Sequence, residues 1–174
     1  MDELVEILAE DGKQVGKRVN KFVAHKKGIC HGISAIALVD KKGKLLIQKR
    51  SPNKKDEPNK WDLSGAGHID IDETPEQAAI RELYEETGIK AELEELKLID
   101  TYLNKVKLNS KVFINHYTYL FLIKKDIKIN NINIQKSEVS DILFVDKKKY
   151  IELLKNGDMV EAIKYCDKVL NYMN

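Results

Sequence analysis

Apolar runs along the chain predict a set of β-strands. Residues 3–19 place aliphatic side chains on both sides of the turn signal Glu10-Asp11-Gly12, which predicts an N-terminal hairpin within residues 1–20. The run at 32–40 is apolar enough to lie in the middle of a sheet. Further strands are predicted from apolar runs at 44–48, 96–103, 112–123 and 142–145.

Boundary signals and periodicity predict two helices. Thr74 can cap the first helix, Pro75 suits its first position, and Gln77 completes a capping box. This helix is expected to end at Gly88, since glycine is favoured just beyond a helix C-terminus. An amphipathic helix is predicted in the C-terminal segment 147–174, where apolar residues recur every three or four positions: Met159, Ile163, Cys166, Leu170 and Met173. Strands interleaved with helices indicate an α/β fold, a mixed sheet covered on its faces by helices.

Composition restricts the class of protein. The 174 residues are expected to form one domain, 1–174, because no repeat, low-complexity tract or long linker divides them. The net charge of +2 argues against nucleic acid or a membrane surface as the main partner. Cys30 and Cys166 are far apart in the sequence, so we expect reduced thiols and a cytoplasmic protein. No stretch approaches the roughly 20 apolar residues that span a bilayer.

Three carboxylates share one side of the first helix. Glu82, Glu85 and Glu86 are spaced i, i+3 and i+4, where each like-charge pair costs about 0.2–0.5 kcal/mol. Arg81 can offset part of this charge, and Mg²⁺ suits the remainder because it prefers oxygen ligands. The alternative is a solvated acidic face without a bound ion.

The sequence of residues 67–89, GHIDIDETPEQAAIRELYEETGI, resembles the Nudix box. The resemblance implies the Nudix fold, an α/β/α sandwich with a mixed sheet. It also implies MutT-like hydrolysis of a diphosphate linked to another moiety, with Mg²⁺ or Mn²⁺ as cofactor. The residues that it assigns to the acidic metal site are Glu82, Glu85, Glu86 and Glu73.

Two further roles come from the same resemblance. Arg81 and Glu73 are implied to orient the metal-binding glutamates through an internal ion pair. Glu138 begins a segment similar to one that precedes a late strand in many Nudix enzymes, where a glutamate binds metal or acts as a base. An ordinary surface glutamate is the alternative reading of Glu138.

Most of the chain up to residue 86 is also similar to the isopentenyl-diphosphate isomerase branch of this superfamily. This similarity implies that Arg50 and Lys54 hold the substrate diphosphate. It also places the histidines at or near an isomerase metal site, which suggests a second site for zinc or another transition ion: His25, His31, His68 and His116. The alternative is that they are ordinary polar residues around a cleft, and for His25 we favour that alternative.

The sequence departs from the isomerases at the residues that carry their chemistry. Ala66 occupies the position of the isomerase cysteine, and Ile114-Asn115-His116 replaces a Glu-x-Glu pair. Protonating an alkene and removing a proton from its other side needs two positioned acid–base groups, which this chain therefore lacks. The Nudix box, by contrast, is intact, so hydrolysis is the expected reaction.

We therefore expect a metal-dependent pyrophosphohydrolase that cleaves a small-molecule partner, a nucleoside diphosphate derivative, with metal-activated water. Gly67 and Trp61 complete the expected substrate site, and Tyr102 and Tyr117 are candidates to stack on a base. Two alternatives stay open, isopentenyl-diphosphate isomerisation and a non-catalytic nucleotide-binding module. The sequence also leaves the oligomeric state open, a homodimer included.

Overall fold

The computed structural model describes residues 4–109, 112–161 and 167–174. Its strands are β1 (Leu4–Leu8), β2 (Gln14–Asn20), β3 (His31–Val39), β4 (Leu45–Arg50), β5 (Trp61–Asp62), β6 (Gly65–His68), β7 (Lys97–Lys107), β8 (Phe113–Lys124) and β9 (Val139–Val145). Its helices are α1 (Lys21–Lys27), α2 (Pro75–Thr87) and α3 (Lys147–Asn156). Short 3₁₀ turns cover Leu93–Glu95, Ile129–Asn131 and Asp167–Tyr172.

β3 lies at the centre of the sheet, as its apolar sequence predicts. It pairs antiparallel with β1, β4 and β6 and parallel with β8, so the sheet is mixed. β7 extends the sheet beyond β8, while β5 and β9 both pair with β4. The predicted N-terminal hairpin is confirmed as β1 and β2, with a turn at 10–12 between them.

Alternating residues of β3 face two separate apolar cores. Ala35, Ala37 and Val39 join the core that contains Tyr150 of α3. Ile36 and Leu38 point the other way, into the core that contains Ala79 and Leu83 of α2. Successive strand residues point to opposite faces, so a strand buried on both faces needs apolar residues throughout. The result is a sheet between two helical layers, which confirms the predicted α/β/α sandwich.

The local signals at the ends of α2 act as predicted. The Thr74 side chain accepts a hydrogen bond from the backbone N–H of Gln77, whose side chain in turn accepts from the Thr74 backbone N–H. At the other end Gly88 adopts φ +70°, a left-handed conformation that favours glycine and ends the helix. These caps fix which residues of the helix face the sheet and which face away from it.

The C-terminal segment differs from the predicted helix. Met159 forms an isolated bridge with Trp61, and the backbone on both sides of it bonds to Trp61, so the chain is extended there. The helix lies earlier, at α3, and ends at Gly157, which has φ +72°. Met159, Leu170 and Met173 nevertheless contact the core under α3, whereas Ile163 and Cys166 lie outside the described residues. Among the described helices, none is long and apolar enough to cross a membrane.

Candidate functional site

A cleft of about 720 Å³ opens at one end of the sheet, beside α2. α1, β6 and β8 contribute to one part of its wall, and the loop at 51–60 with the segment at 135–138 contributes to another. Ten of the residues singled out in the sequence line it together: His25, Arg50, Lys54, Gly67, His68, Glu82, Glu85, Glu86, His116 and Glu138.

Glu86 is a buried carboxylate at the floor of this cleft. Only 7% of the residue is exposed. Its Oε2 accepts hydrogen bonds from Nε2 of Gln48 at 2.6 Å and from the backbone N–H of Ala66 at 3.1 Å. Burial raises the pKa of Glu86 to about 8, and the nearby Glu82 and Asp62 add to the effect, against the opposing hydrogen bond from Gln48. A cation bound at this carboxylate would favour its ionised form.

Arg81 forms ion pairs with acidic residues along the box: Asp70, Glu73, Glu82 and Glu85. Its Nε and Nη2 donate to the two oxygens of Glu73, each at 2.9 Å, in a bidentate pair. Its Nη1 donates to Glu82 at 2.7 Å and lies 3.4 Å from Glu85. Nη2 also donates to the backbone oxygen of His68 at 2.9 Å, which ties the helix to β6. Arg81 therefore orients Glu82 and Glu85 from behind the cleft.

Glu73 has the contacts of an orienting residue in this arrangement, the second of the two roles expected of it. Both of its oxygens accept from Arg81, and Oε2 also accepts from the backbone N–H of Asp70 at 3.0 Å. Burial opposes its ionisation, but these hydrogen bonds lower the pKa of Glu73 overall. Glu73 does not line the cleft, because its carboxylate is turned toward Arg81.

Gly67 permits the close approach of Glu82 to β6. A Cβ atom at Gly67 would lie 2.1 Å from Cδ and Oε1 of Glu82, far inside contact distance. Glu82 is largely buried, and burial raises its pKa against the opposing effect of Arg81. Glu85 is half exposed and faces the cleft. The spacing of glycine and glutamates in the sequence thus places two carboxylates against the backbone of β6 and leaves the third toward solvent.

Basic residues lie opposite these carboxylates. Arg50 is anchored through Nη2 to the backbone oxygen of Asp56 at 2.9 Å, and its Nη1 is 3.4 Å from Asp62. Asp62 is 6% exposed, and burial raises its pKa despite the charge of Arg50. Lys54 forms an ion pair with Glu138. The end of β4 and the loop that follows it therefore present Arg50 and Lys54 to the cleft, and Lys54 is held by a glutamate that also lines it.

The histidines predicted to be near one another form a compact group. One ring nitrogen from each lies within 4.8 Å of the corresponding atom of every other, in His25, His31, His68 and His116. His25 is part of this group, because its Nε2 lies 3.0 Å from Nε2 of His68. α1 supplies His25, and this short helix, capped by Asn20, was not predicted.

The histidine group has the chemistry of a metal-binding site. Nδ1 of His31 lies 2.8 Å from the backbone oxygen of Ile29, so a neutral ring carries its proton there and keeps a lone pair on Nε2. Burial lowers the pKa of His31 to about 4 and holds those of His68 and His116 well below the usual value. Nε2 of His31 and of His116 is buried with no hydrogen-bond partner among the described residues. Neutral imidazoles with free lone pairs are the form that binds zinc and similar ions.

Of the three aromatic residues expected at the substrate site, one lines the cleft and two do not. Tyr102 lines the cleft. Trp61 does not; its ring packs against the core under α3, with Nζ of Lys49 at 5.7 Å from its centroid. Tyr117 also lies outside the cleft lining, and its hydroxyl donates to Thr101 at 3.3 Å. Trp61 therefore packs within the fold away from the cleft, and of these three rings Tyr102 is the one that lines it.

Gln48 and Asp62 belong to the site but were not predicted. Both are buried, and they face each other across β4 and β5. The signal for Gln48 was a polar residue immediately after the apolar run Leu45–Ile47, where burial makes a hydrogen-bond partner necessary. The partner, Glu86, lies 38 residues away in the sequence, so no local pattern could identify it.

Two donor sets in the cleft fit two kinds of metal ion. Carboxylate oxygens suit Mg²⁺ or Mn²⁺, whereas an all-imidazole set suits zinc and later transition metals. Three buried atoms find no hydrogen-bond partner in the part of the chain that the structure describes, which supports bound ligands here: Nε2 of His31, Nε2 of His116 and Oε1 of Gln48. The residues present therefore fit the ions that the sequence implies.

Comparison with known proteins agrees with this geometry. The family model of the NUDIX domain matches residues 31–165. An uncharacterised Nudix hydrolase of Listeria monocytogenes is 32% identical over 169 residues, 97% of this chain and 94% of its own length. An isopentenyl-diphosphate delta-isomerase of Photorhabdus laumondii is 30% identical over 171 residues, 98% of this chain and 92% of its own.

Solved structures show the same fold at lower sequence identity. A protein from Deinococcus radiodurans superposes with a TM-score of 0.71 at 17% identity and covers 98% of this chain and 99% of its own. A Shewanella oneidensis NUDIX domain complexed with ADP ribose gives a TM-score of 0.55 at 20% identity, covering 69% of this chain and 75% of its own. The match therefore extends over the sheet and both helical layers.

Proposed function

This chain belongs to the Nudix hydrolase family, and we propose that it is a metal-dependent pyrophosphohydrolase acting on a nucleoside diphosphate derivative. The observation that carries the proposal is the convergence of an acidic helix and a basic loop on one cleft. Glu82, Glu85 and Glu86 line it together with Arg50 and Lys54. A diphosphate substrate needs both the basic residues and the carboxylates. Its negative charge requires cations, and its cleavage requires water activated by a metal ion that the carboxylates would hold.

The glutamates of α2 would hold Mg²⁺ or Mn²⁺. When bound, such an ion neutralises charge on the diphosphate and lowers the pKa of its water. Arg81 keeps Glu82 and Glu85 in place, and Gln48 and the Ala66 backbone N–H keep Glu86 in place. These side chains are therefore already oriented before the substrate binds, which reduces the entropy lost on binding.

Arg50 and Lys54 would bind the phosphate groups. The anchor of Arg50 on the Asp56 backbone holds its guanidinium at the cleft, where it can contact phosphate oxygens. Lys54 is paired with Glu138, and a phosphate group can replace the carboxylate as its partner. Glu138 would then be free to accept a proton from the attacking water, the role of a general base.

Nucleotides are the favoured substrates because of the character of the cleft. Tyr102 offers one ring, and aliphatic residues such as Ile114 line the same cleft. Structural neighbours include an Ap4A hydrolase from Caenorhabditis elegans, with a TM-score of 0.55, and the ADP-ribose complex described above.

The experiment is a screen of nucleotides, dinucleotide cofactors, nucleotide sugars and prenyl diphosphates with Mg²⁺ and with Mn²⁺. The wild type should release a nucleoside monophosphate from at least one nucleotide. Glu86→Gln should abolish this release, while the matched change Glu94→Gln, at an exposed position, should leave it unaltered. Full activity in Glu86→Gln would remove the mechanism.

Isopentenyl-diphosphate isomerisation is the second candidate, favoured by the isomerase relative that covers almost the whole chain. The cleft argues against it, because Ala66 and Ile114 line it at the positions where acid–base groups would be needed. The same screen separates the two: an isomerase interconverts the five-carbon diphosphates without releasing phosphate. Nucleotide binding without turnover in either metal would instead indicate a non-catalytic module.

The histidine group would hold a zinc or other transition ion beside the diphosphate site. His31, His68 and His116 are kept neutral by burial, and His25 completes a set of four nitrogens. Elemental analysis of purified protein should find about one such ion per chain, and His116→Ala should lose it. Protein that contains no transition metal, and binds no added Co²⁺, would contradict this site.

A further inference from the structure

Gln48 lies beneath the floor of the cleft. Its side chain is buried, with 2% exposed, in the β4 strand. The antiparallel register places it opposite Asp62 of β5, and residues paired in this way share one face of the sheet. Asp62 lines the cleft, so Gln48 points toward the same region from one strand further in.

The amide nitrogen of Gln48 fixes one oxygen of Glu86. The distance from Nε2 to Oε2 is 2.6 Å, short for an N–H···O hydrogen bond, as expected when the acceptor is a carboxylate. The backbone N–H of Ala66 donates to the same oxygen. Two donors on Oε2 determine the plane of the carboxylate, and Oε1 receives neither of these bonds.

The amide oxygen of Gln48 is buried and has no hydrogen-bond partner among the described residues. Leaving such an acceptor unpaired destabilises a folded protein, so an unmet acceptor next to a functional carboxylate indicates a donor that binds there. The amide group is planar and rigid, which places this oxygen beside the nitrogen that holds Glu86. Water carried by an ion at Glu86 has the required O–H group.

We propose that Gln48 is a positioning residue for the metal site. Its N–H group holds one oxygen of Glu86 so that the other is directed to the ion, and its carbonyl oxygen accepts a hydrogen bond from water on that ion. The inference rests on the proposed metal-dependent function. Hydrogen-bonding partners of metal ligands are commonly worth 10–100-fold in metal affinity, on the order of the effect expected here.

The test uses Gln48→Met, which keeps the length of the side chain and removes both polar atoms. The unfolding temperature of the full chain is followed as Mg²⁺ is added, because a ligand that binds only the folded protein raises it according to its dissociation constant. Mg²⁺ is chosen because it prefers oxygen ligands and so reports on the carboxylates rather than on the histidines. The control is Gln14→Met, the same change at an exposed position of β2.

Gln48→Met should raise the Mg²⁺ dissociation constant at least about 10-fold, with kcat at saturating Mg²⁺ changed much less. Gln14→Met should leave both unaltered. A role in packing alone would lower the unfolding temperature without Mg²⁺ but leave the dissociation constant of the folded protein within about twofold of wild type, and that result overturns the proposal. A wild type that hydrolyses nothing and binds no Mg²⁺ overturns the proposed function, and this inference with it.

A measurement on the wild type covers the case in which Gln48→Met does not fold. The side-chain NH₂ signals of Gln48 in a ¹⁵N NMR spectrum should shift as Mg²⁺ is added. The Mg²⁺ concentration at the midpoint of this shift should equal the one at the midpoint of thermal stabilisation. The NH₂ signals of exposed Gln14 should not move. Gln48 signals that stay unchanged while Mg²⁺ stabilises the protein would contradict the proposal.

Discussion

Replacing Glu86 by glutamine should stabilise the metal-free protein, and the gain should grow with pH. The folded protein holds the Glu86 proton up to a pKa of about 8, compared with 4.5 for the ordinary side chain. A group whose pKa is raised on folding supports the folded state fully below its unfolded pKa and loses that support as pH rises through the folded one. At neutral pH, folding of the metal-free protein therefore requires Glu86 to take up a proton, and this requirement lowers the free energy of unfolding.

The size of the effect follows from the shift. Each pH unit between 4.5 and 8 lowers the free energy of unfolding of the metal-free wild type by about 1.4 kcal/mol. The free energy lost is close to zero at pH 4.5, roughly 3 kcal/mol at pH 7 and roughly 5 kcal/mol above pH 8. Glu86→Gln removes the ionisation but keeps an oxygen that can accept the bonds from Gln48 and Ala66. The difference in free energy of unfolding between Glu86→Gln and the wild type should therefore grow with pH by the same amounts.

The assay is urea unfolding in EDTA at pH 5, 7 and 8.5, for the wild type, Glu86→Gln and the exposed control Glu94→Gln. At pH 7 the predicted gain corresponds to roughly 5–12 °C in unfolding temperature for a chain of this size. Saturating Mg²⁺ should remove most of the difference by stabilising the wild type alone. A gain that is the same at all three pH values would refute the reasoning, because it would not arise from the ionisation of Glu86.

Three other substitutions test parts of the site and of the fold. Gly67→Ala should leave the fold intact but weaken Mg²⁺ binding at least about 10-fold in the same Mg²⁺ titration, because the added Cβ displaces the flexible carboxylate of Glu82; unchanged binding would contradict that packing. Arg81→Lys should cost about 1–3 kcal/mol in urea unfolding, since a lysine cannot replace the bidentate pair with Glu73; a change under 0.5 kcal/mol would contradict it. Leu83→Ala should cost about 2–5 kcal/mol because Leu83 is fully buried against the sheet, and a cost below about 1 kcal/mol would show that the α2 core is packed differently.

Local signals made the central part of the site predictable. The capping box at Thr74 and the glycine at 88 determine where α2 begins and ends, and both are readable within a few residues. Once the helix is located, its period places Glu82, Glu85 and Glu86 on one side. The close contact between Gly67 and Glu82 is seen only in the structure.

Features that depend on distant contacts were less predictable. The partner of Gln48 lies on another element, and only the sheet register places Asp62 opposite it. Trp61 looked like a substrate residue, but its strand pairing with Met159 turns it into the core. The same pairing explains why Met159 is extended although the spacing of apolar residues around it suggested a helix.

The histidine group has one part that the sequence predicted and one part that it did not. The sequence indicated that all four histidines lie at or near one metal site, through a family resemblance rather than through local structure. His25 joins the other three because α1, a helix of 7 residues, turns its last residues toward β8. A cap at Asn20 and a left-handed glycine at 28 mark this helix, but so short a segment has little periodicity to detect.

The most direct test of the proposed hydrolysis is the incorporation of ¹⁸O from labelled water into the product phosphate, followed by mass spectrometry with Mg²⁺ present. With the nucleotide that the screen identifies, the wild type should yield a nucleoside monophosphate or its partner phosphate carrying one ¹⁸O atom, since water attacks phosphorus. Glu86→Gln should yield neither. Product without ¹⁸O, equal incorporation by Glu86→Gln, or no cleavage of any diphosphate tested would contradict the account.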